Sequence, residues 1–189
     1  MEVLISLVTI VVSMATSSLA AALVTFRLNE SKDKRFFLRQ KLEDIYVTTN
    51  RFSNHLIGHY LKFMPVMLGE YDFNTALDMV IESGKDARKN DFEKIEMNLR
   101  IYFPELLDDF LKLLKIRDVG NTVLNSFKID YKKGCCYSKK HYSEMKTIIE
   151  NISYNETIFY GKLTESARDL MEHPCQFKLN DFVKFICKK

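Results

Sequence analysis

The sequence predicts an all-α fold: a single N-terminal transmembrane helix followed by an antiparallel helical bundle. Three observations carry that reading. Val3 to Phe26 is a run of 24 residues without a charged side chain. Elsewhere, apolar residues recur mainly at steps of three and four, the spacing of one helical face. Six glycines and three prolines in 189 residues are too few for a turn-rich β fold.

The charge-free run comes first. At about 1.5 Å per residue it reaches roughly 36 Å, enough to cross a hydrocarbon core of about 30 Å with some tilt. A helix satisfies its own backbone in lipid, and Leu4, Ile5, Leu7, Val8, Ile10, Val11, Val12, Leu19, Leu23 and Val24 supply apolar surface. A cleaved signal peptide is the competing reading, because Ser17-Ser18-Leu19-Ala20-Ala21-Ala22 resembles a cleavage region. Such a peptide carries its basic residues ahead of the apolar stretch, where this chain has only Glu2.

Here the basic residues follow the run: Arg27, Lys32, Lys34, Arg35, Arg39 and Lys41, against only Glu30 and Asp33. The positive-inside rule keeps such a flank in the cytoplasm. That predicts a cell-membrane protein with its N-terminus outside, residues 1–28 as anchor and residues 29–189 as a cytoplasmic helical-bundle domain. The same cluster attracts anionic headgroups, so the lipid bilayer is the first expected partner. Sequons at Asn29, Asn151 and Asn155 are short enough to arise by chance, and a glycan on any of them would reverse the orientation.

Inside the run, Ser6, Thr9, Ser13, Thr16 and Ala20 recur at steps of three and four. Small and hydroxylated residues on one face let helix backbones approach and hydrogen-bond. They mark a face for association with a second copy or another membrane protein. The plainer reading is that Ser and Thr are tolerated in a span because they bond to their own backbone.

Beyond the run, Leu38, Leu42, Ile45, Thr49, Phe52, Leu56 and Phe63, with His59 at the missing step, predict one long amphipathic helix from Ser31 to Met64, ended by Pro65. No glycine or proline separates it from the anchor. Phe73, Leu77, Val80 and Ile81 predict a short helix from Asp72 to Ser83, closed by Gly84. Asn90 and Glu93 form a capping box for a helix burying Phe92, Ile95, Leu99, Tyr102 and Phe103. Pro104 kinks or restarts it, and Leu106, Leu107, Phe110, Leu113 and Leu114 carry it to about Asp118, with Gly120 as a stop. Lys128 to Lys140 then reads as a basic loop holding two tyrosines. A second long helix starts near Ser138 along Tyr142, Met145, Ile149, Ile152, Phe159, Leu163 and Leu170, and Pro174 ends it. Asn180 to Cys187 is a short last helix with Phe182, Val183 and Ile186.

Catalytic chemistry finds little support. His55 and His59 share a helix face and could hold a metal ion, which is the basis of a metal-dependent-enzyme reading. However, Leu56 stands where a metalloprotease needs Glu, and no Glu-x-x-His motif occurs. Cys135, Cys136, Cys175 and Cys187 lack the C-x₂-C spacing of zinc or redox sites, although the adjacent pair could sense oxidants or carry a lipid. Glu105, Asp108 and Asp109 suit the start of a helix. There is no P-loop, dinucleotide glycine pattern or G-x-S-x-G, so no cofactor is implied and no enzyme is expected. A net charge of +3 is too weak to imply nucleic acid, although the basic loop with Tyr131 and Tyr137 has the composition of a stacking site. Asn155 and Glu156 interrupt the last seam and mark a polar spot for pairing.

The function that fits is non-enzymatic: a membrane-anchored module that oligomerises or recruits a partner at the cytoplasmic face. The first alternative is a membrane-perturbing effector of a bacterial defence system, whose span oligomerises on triggering.

Overall fold

The computed structural model describes residues 2–84 and 91–172; within these ranges the side chains of 2–13, 15, 16, 20, 84 and 172 lie outside the description. Among the described residues the chain is all-helical, without a strand. The elements are α1 (Glu2–Met67), α2 (Phe73–Gly84), α3 (Asp91–Tyr102), a 3-10 turn (Pro104–Leu106), α4 (Leu107–Lys132) and α5 (Lys139–Glu172). The chain divides into two compact units, Lys41–Ala167 and a second that joins Met1–Gln40 with Arg168–Lys189.

Within Lys41–Ala167, named contacts set the directions of the helices. Arg51 pairs with Asp91 at 2.9 Å and Asp44 with Lys94 at 2.9 Å, so α3 runs antiparallel to α1. The Phe52 ring meets Phe110 at 6.3 Å, and the Tyr60 hydroxyl reaches Arg117 O at 2.8 Å, so α4 runs parallel to α1. Tyr46 meets Tyr160 at 4.4 Å, and Ser138 N–H bonds Met67 O at 2.8 Å, so α5 runs antiparallel to α1. This is an up-down-up-down bundle with α2 set against one end.

Leu42, Ile45, Thr49 and Phe63 are buried along α1 as their spacing predicts, together with Tyr60, Val66 and Met67, which lie beside that seam. Tyr60, Phe110, Phe127 and Phe159 are the largest fully buried side chains. Each contributes roughly 1.5–3 kcal/mol by leaving water.

The expected end of α1 at Met64 is corrected. Pro65 sits inside the helix, which runs to Met67. A proline there removes one N–H but leaves its carbonyl in use: Glu70 N–H bonds Pro65 O at 2.9 Å and Gly69 N–H bonds Val66 O at 3.0 Å. Gly69 has φ +76°. That pair of bonds around a left-handed glycine is the stop.

Asp72 caps α2 by accepting Thr75 N–H at 2.9 Å, a side-chain bond to an otherwise orphaned helix N–H. Its apolar face is also corrected. Ala76 is buried, whereas Leu77 and Ile81 are exposed. The Phe73 ring packs on Phe63 at 5.2 Å and Tyr131 at 5.5 Å, which turns Ala76 and Val80, three and seven residues on, toward the core.

In α3, Ile95 and Leu99 are buried, as is Phe103 just beyond it. Glu93 lies in the first turn, and its expected capping partner Asn90 lies outside the described residues. Pro104 opens the 3-10 turn and α4 follows it. The expected stop at Gly120 is corrected, because α4 continues to Lys132. Gly120 is buried mid-helix where Tyr60 crosses; a Cβ there would lie 2.5 Å from the Tyr60 hydroxyl oxygen. The basic loop predicted for Lys128 to Lys140 therefore shrinks to residues 133–138.

Ser138 caps α5, its Oγ accepting His141 N–H at 3.4 Å. Met145, Ile148, Ile152, Phe159 and Leu163 form the buried seam of α5. Ile149 is only partly buried and Ile148 takes the inner position. Pro174 and the helix predicted for Asn180 to Cys187 lie outside the described residues.

Candidate functional site

The N-terminal half of α1 carries the residues singled out for membrane contact. Its backbone is helical from Glu2 through the whole charge-free run. The side chains of Ser6, Thr9, Ser13, Thr16 and Ala20 lie outside the described residues. Among the described residues no helix is long and apolar enough to cross a membrane; most side chains of the run Val3–Phe26 lie outside the description. The described apolar side chains of the run that carry most surface, Met14, Leu19, Leu23 and Phe26, are exposed rather than packed; Met14, Leu19 and Phe26 are each about two-thirds accessible. Ser17 Oγ donates to Met14 O at 3.0 Å, which is how a hydroxyl satisfies itself on a helix without a partner.

The basic residues follow on the same helix. Arg27 lies 3.6 Å from Glu30, both exposed, a pairing that contributes about 0–1 kcal/mol. Lys32, Lys34 and Arg39 are exposed and Arg35 is half-buried, with Arg35 Nε donating to Ser31 O at 3.4 Å. Lys41 Nζ sits 5.7 Å over the Tyr102 ring, a cation–π contact that ties it into the bundle. Arg27, Lys34 and Lys41 recur every seven residues, while Lys32, Arg35 and Arg39 step by three and four. At 3.6 residues per turn the two rows stand roughly 130° apart. A helix lying flat on a membrane keeps its polar charges on one face. Two separated rows form a partial collar around the helix.

The other candidates are spread through the bundle. His55 is exposed, and His59 is half-buried with its ring 5.4 Å from Phe63. Burial first, then the charges of His55 and Lys62, hold the His59 imidazole below its ordinary value. Among the described residues no group of three or more His, Cys, Asp or Glu could hold a metal ion. His141 belongs to another cluster: its Nδ1 is 2.7 Å from Ser138 Oγ and its Nε2 is 3.3 Å from Ser126 Oγ.

Tyr131 is not available for base stacking. It is half-buried against Phe73 and Phe127, and its hydroxyl accepts Phe73 N–H at 3.2 Å. Tyr137 is exposed. Of the three clustered carboxylates, Asp109 is buried and bridges two lysines, Lys112 at 2.8 Å and Lys162 of α5. Burial alone would raise its carboxyl, but the hydrogen bonds and charges of Lys112 and Lys162 outweigh that and hold it below 3.8. Spacing pointed to Asp109 only as a dipole partner; the bond to Lys162, 53 positions away, has no local signal.

Asn155 and Glu156, the polar spot in the last seam, are satisfied within α5. Asn155 Nδ2 donates to Asn151 O at 2.8 Å, and Glu156 accepts the hydroxyl of Tyr160, whose ring packs on Tyr46. Cys135 and Cys136 are free and exposed.

No protein family, characterised protein or solved structure matches this chain.

Proposed function

We propose that the chain is a single-pass membrane-anchored interaction module. Residues 1–28 form the span with the N-terminus outside, and residues 29–189 form a cytoplasmic helical bundle that oligomerises or recruits a partner at the membrane. The observation that carries this reading is the N-terminal half of α1. It is a helix of 24 charge-free residues whose described large apolar side chains are exposed, followed at once by a basic collar. Exposed apolar surface on that scale marks a membrane or protein contact, and the collar supports the lipid reading. Ser6, Thr9, Ser13, Thr16 and Ala20 are the proposed contact between spans. No step of chemistry is assigned to the bundle.

The test is fractionation and protease protection of the full-length chain in cells. The wild type should stay with membranes through alkaline extraction, with the bundle accessible only from the cytoplasmic side. Leu7→Arg together with Val12→Arg should release it. Recovery of the wild type in the soluble fraction would refute the span, and a bundle protected on the outer side would reverse the orientation. Cross-linking of wild type and Ser13→Leu/Thr16→Leu chains then reads whether the hydroxyl face mediates association.

A further inference from the structure

The turn between α4 and α5 carries two consecutive, exposed cysteines on a fixed backbone support. Lys133 and Cys135 N–H groups bond Asp130 O at 3.0 and 3.1 Å, and Gly134 N–H bonds Tyr131 O at 3.0 Å. Gly134 makes the reversal at φ +93°. On the far side Ser138 N–H is fastened to Met67 O at 2.8 Å, and Ser138 caps α5. Between these anchors Cys135 and Cys136 are free and exposed, with Cys135 Sγ 3.5 Å from Tyr137 O.

We propose that Cys135 and Cys136 form a two-thiolate site for a soft monovalent cation of the Cu(I) class. The pair does not readily close on itself. Adjacent Cα atoms across a trans peptide are about 3.8 Å apart, below the roughly 4.4–6.8 Å of an ordinary disulfide, and the described residues contain no cis peptide. Both sulfurs therefore stay available as donors. Structural zinc needs four ligands, and no third His, Cys, Asp or Glu of the described residues joins the pair. Soft cations accept thiolates in preference to oxygen donors, and Cu(I) is content with two.

Charge favours the same ion. Binding releases two thiol protons and leaves a complex of net charge −1, with no change of oxidation state. Lys132, Lys133, Lys139 and Lys140 surround the turn and are exposed, so the local field stabilises that anion. Lipid attachment fits less well, because the turn sits at the Met67 end of α1, roughly 39 Å along the helix from Lys41.

The experiment is an anaerobic Cu(I) titration of the full-length chain in detergent against the chromophoric chelator bicinchoninate. It compares the wild type with Cys135→Ser, Cys136→Ser and the Cys175→Ser/Cys187→Ser control. The wild type and the control should each retain a single Cu(I) per chain, with the ultraviolet charge-transfer band of a copper thiolate. Either single substitution in the turn should abolish retention while leaving the helical circular dichroism unchanged, and Zn(II) should not be held by any variant. The proposal is overturned if the wild type yields all its copper to the chelator. It is equally overturned if Cys135→Ser retains copper as the wild type does, or if the control loses it.

Discussion

The hydroxyl of Tyr60 in α1 donates to Arg117 O of α4 at 2.8 Å, and its ring edge occupies the space that a side chain at Gly120 would take. The two parallel helices approach across this one missing Cβ. Tyr60 is fully buried, and burial pushes its hydroxyl well above the ordinary tyrosine value. It remains a donor across the accessible pH range.

Gly120→Ala should therefore destabilise the fold even though alanine is the better helix former. Overpacking against Tyr60 costs about 1–3 kcal/mol, more than the propensity gain of roughly 0.5–1 kcal/mol. At Gly161 of α5 a Cβ would meet nothing within 4 Å, so Gly161→Ala should stabilise. Urea unfolding followed by circular dichroism reads both signs. In a Tyr60→Phe background the Gly120→Ala cost should shrink, because the nearest clashing atom is gone.

Asp109 joins α4 to α5 through Lys162 and so links stability to pH. Its folded carboxyl is held below the ordinary aspartate value, so its contribution is present in full well above that ordinary value and is lost as the pH falls through the depressed folded value. Asp109→Asn should cost about 1–2 kcal/mol at neutral pH, the lower part of the range for charged hydrogen bonds because both lysines are half exposed. Its unfolding midpoint should also fall less steeply with acid than that of the wild type. Equal acid slopes for the two proteins would contradict the assignment.

Gly69 tests conformation rather than crowding. A Cβ there would meet only Cys136 O, at 3.9 Å, yet φ is +76°. Gly69→Ala should cost about 1–2 kcal/mol from the left-handed backbone alone. Gly69→Asn should cost less, since asparagine tolerates that region. A thermal melt of the three proteins should rank them glycine, asparagine, alanine.

Among the described residues, the hydroxyls of Thr48 and Thr49 are buried without a hydrogen-bond partner. An unsatisfied buried hydroxyl costs about 1–3 kcal/mol, whereas an apolar group of the same shape does not carry that penalty. Thr49→Val should raise stability by about 1 kcal/mol, read as a higher urea midpoint at unchanged slope. A fall in the midpoint would show that the hydroxyl is engaged.

Much of the fold was legible from spacing. Leu42, Ile45 and Phe63 in α1, Ile95 and Leu99 in α3, and Met145, Ile152 and Phe159 in α5 are buried where three-four periodicity places them, because one helical face must leave water. The ends of helices were less legible. Gly120 has the composition of a stop but the neighbourhood of a packing contact, and Pro65 lies inside α1, whose end is set by the bonds around Gly69. The candidate membrane residues were legible as a pattern of charge. The contact of His141 with Ser126 was not, because those two residues meet only once α4 and α5 fold back on each other.

By itself the sequence determined the helical class, the apolar faces of the long helices, and the charge-free run with the basic residues behind it, since each is set by residue type and local period. Tertiary structure alone decided which glycine ends a helix and which admits a tyrosine, which carboxylate is buried between lysines, and which tyrosine of the basic segment is in the core. Those outcomes depend on partners tens of residues away: Tyr60 for Gly120, Lys162 for Asp109, Phe73 for Tyr131. A local pattern does not encode the distance to a side chain on another helix.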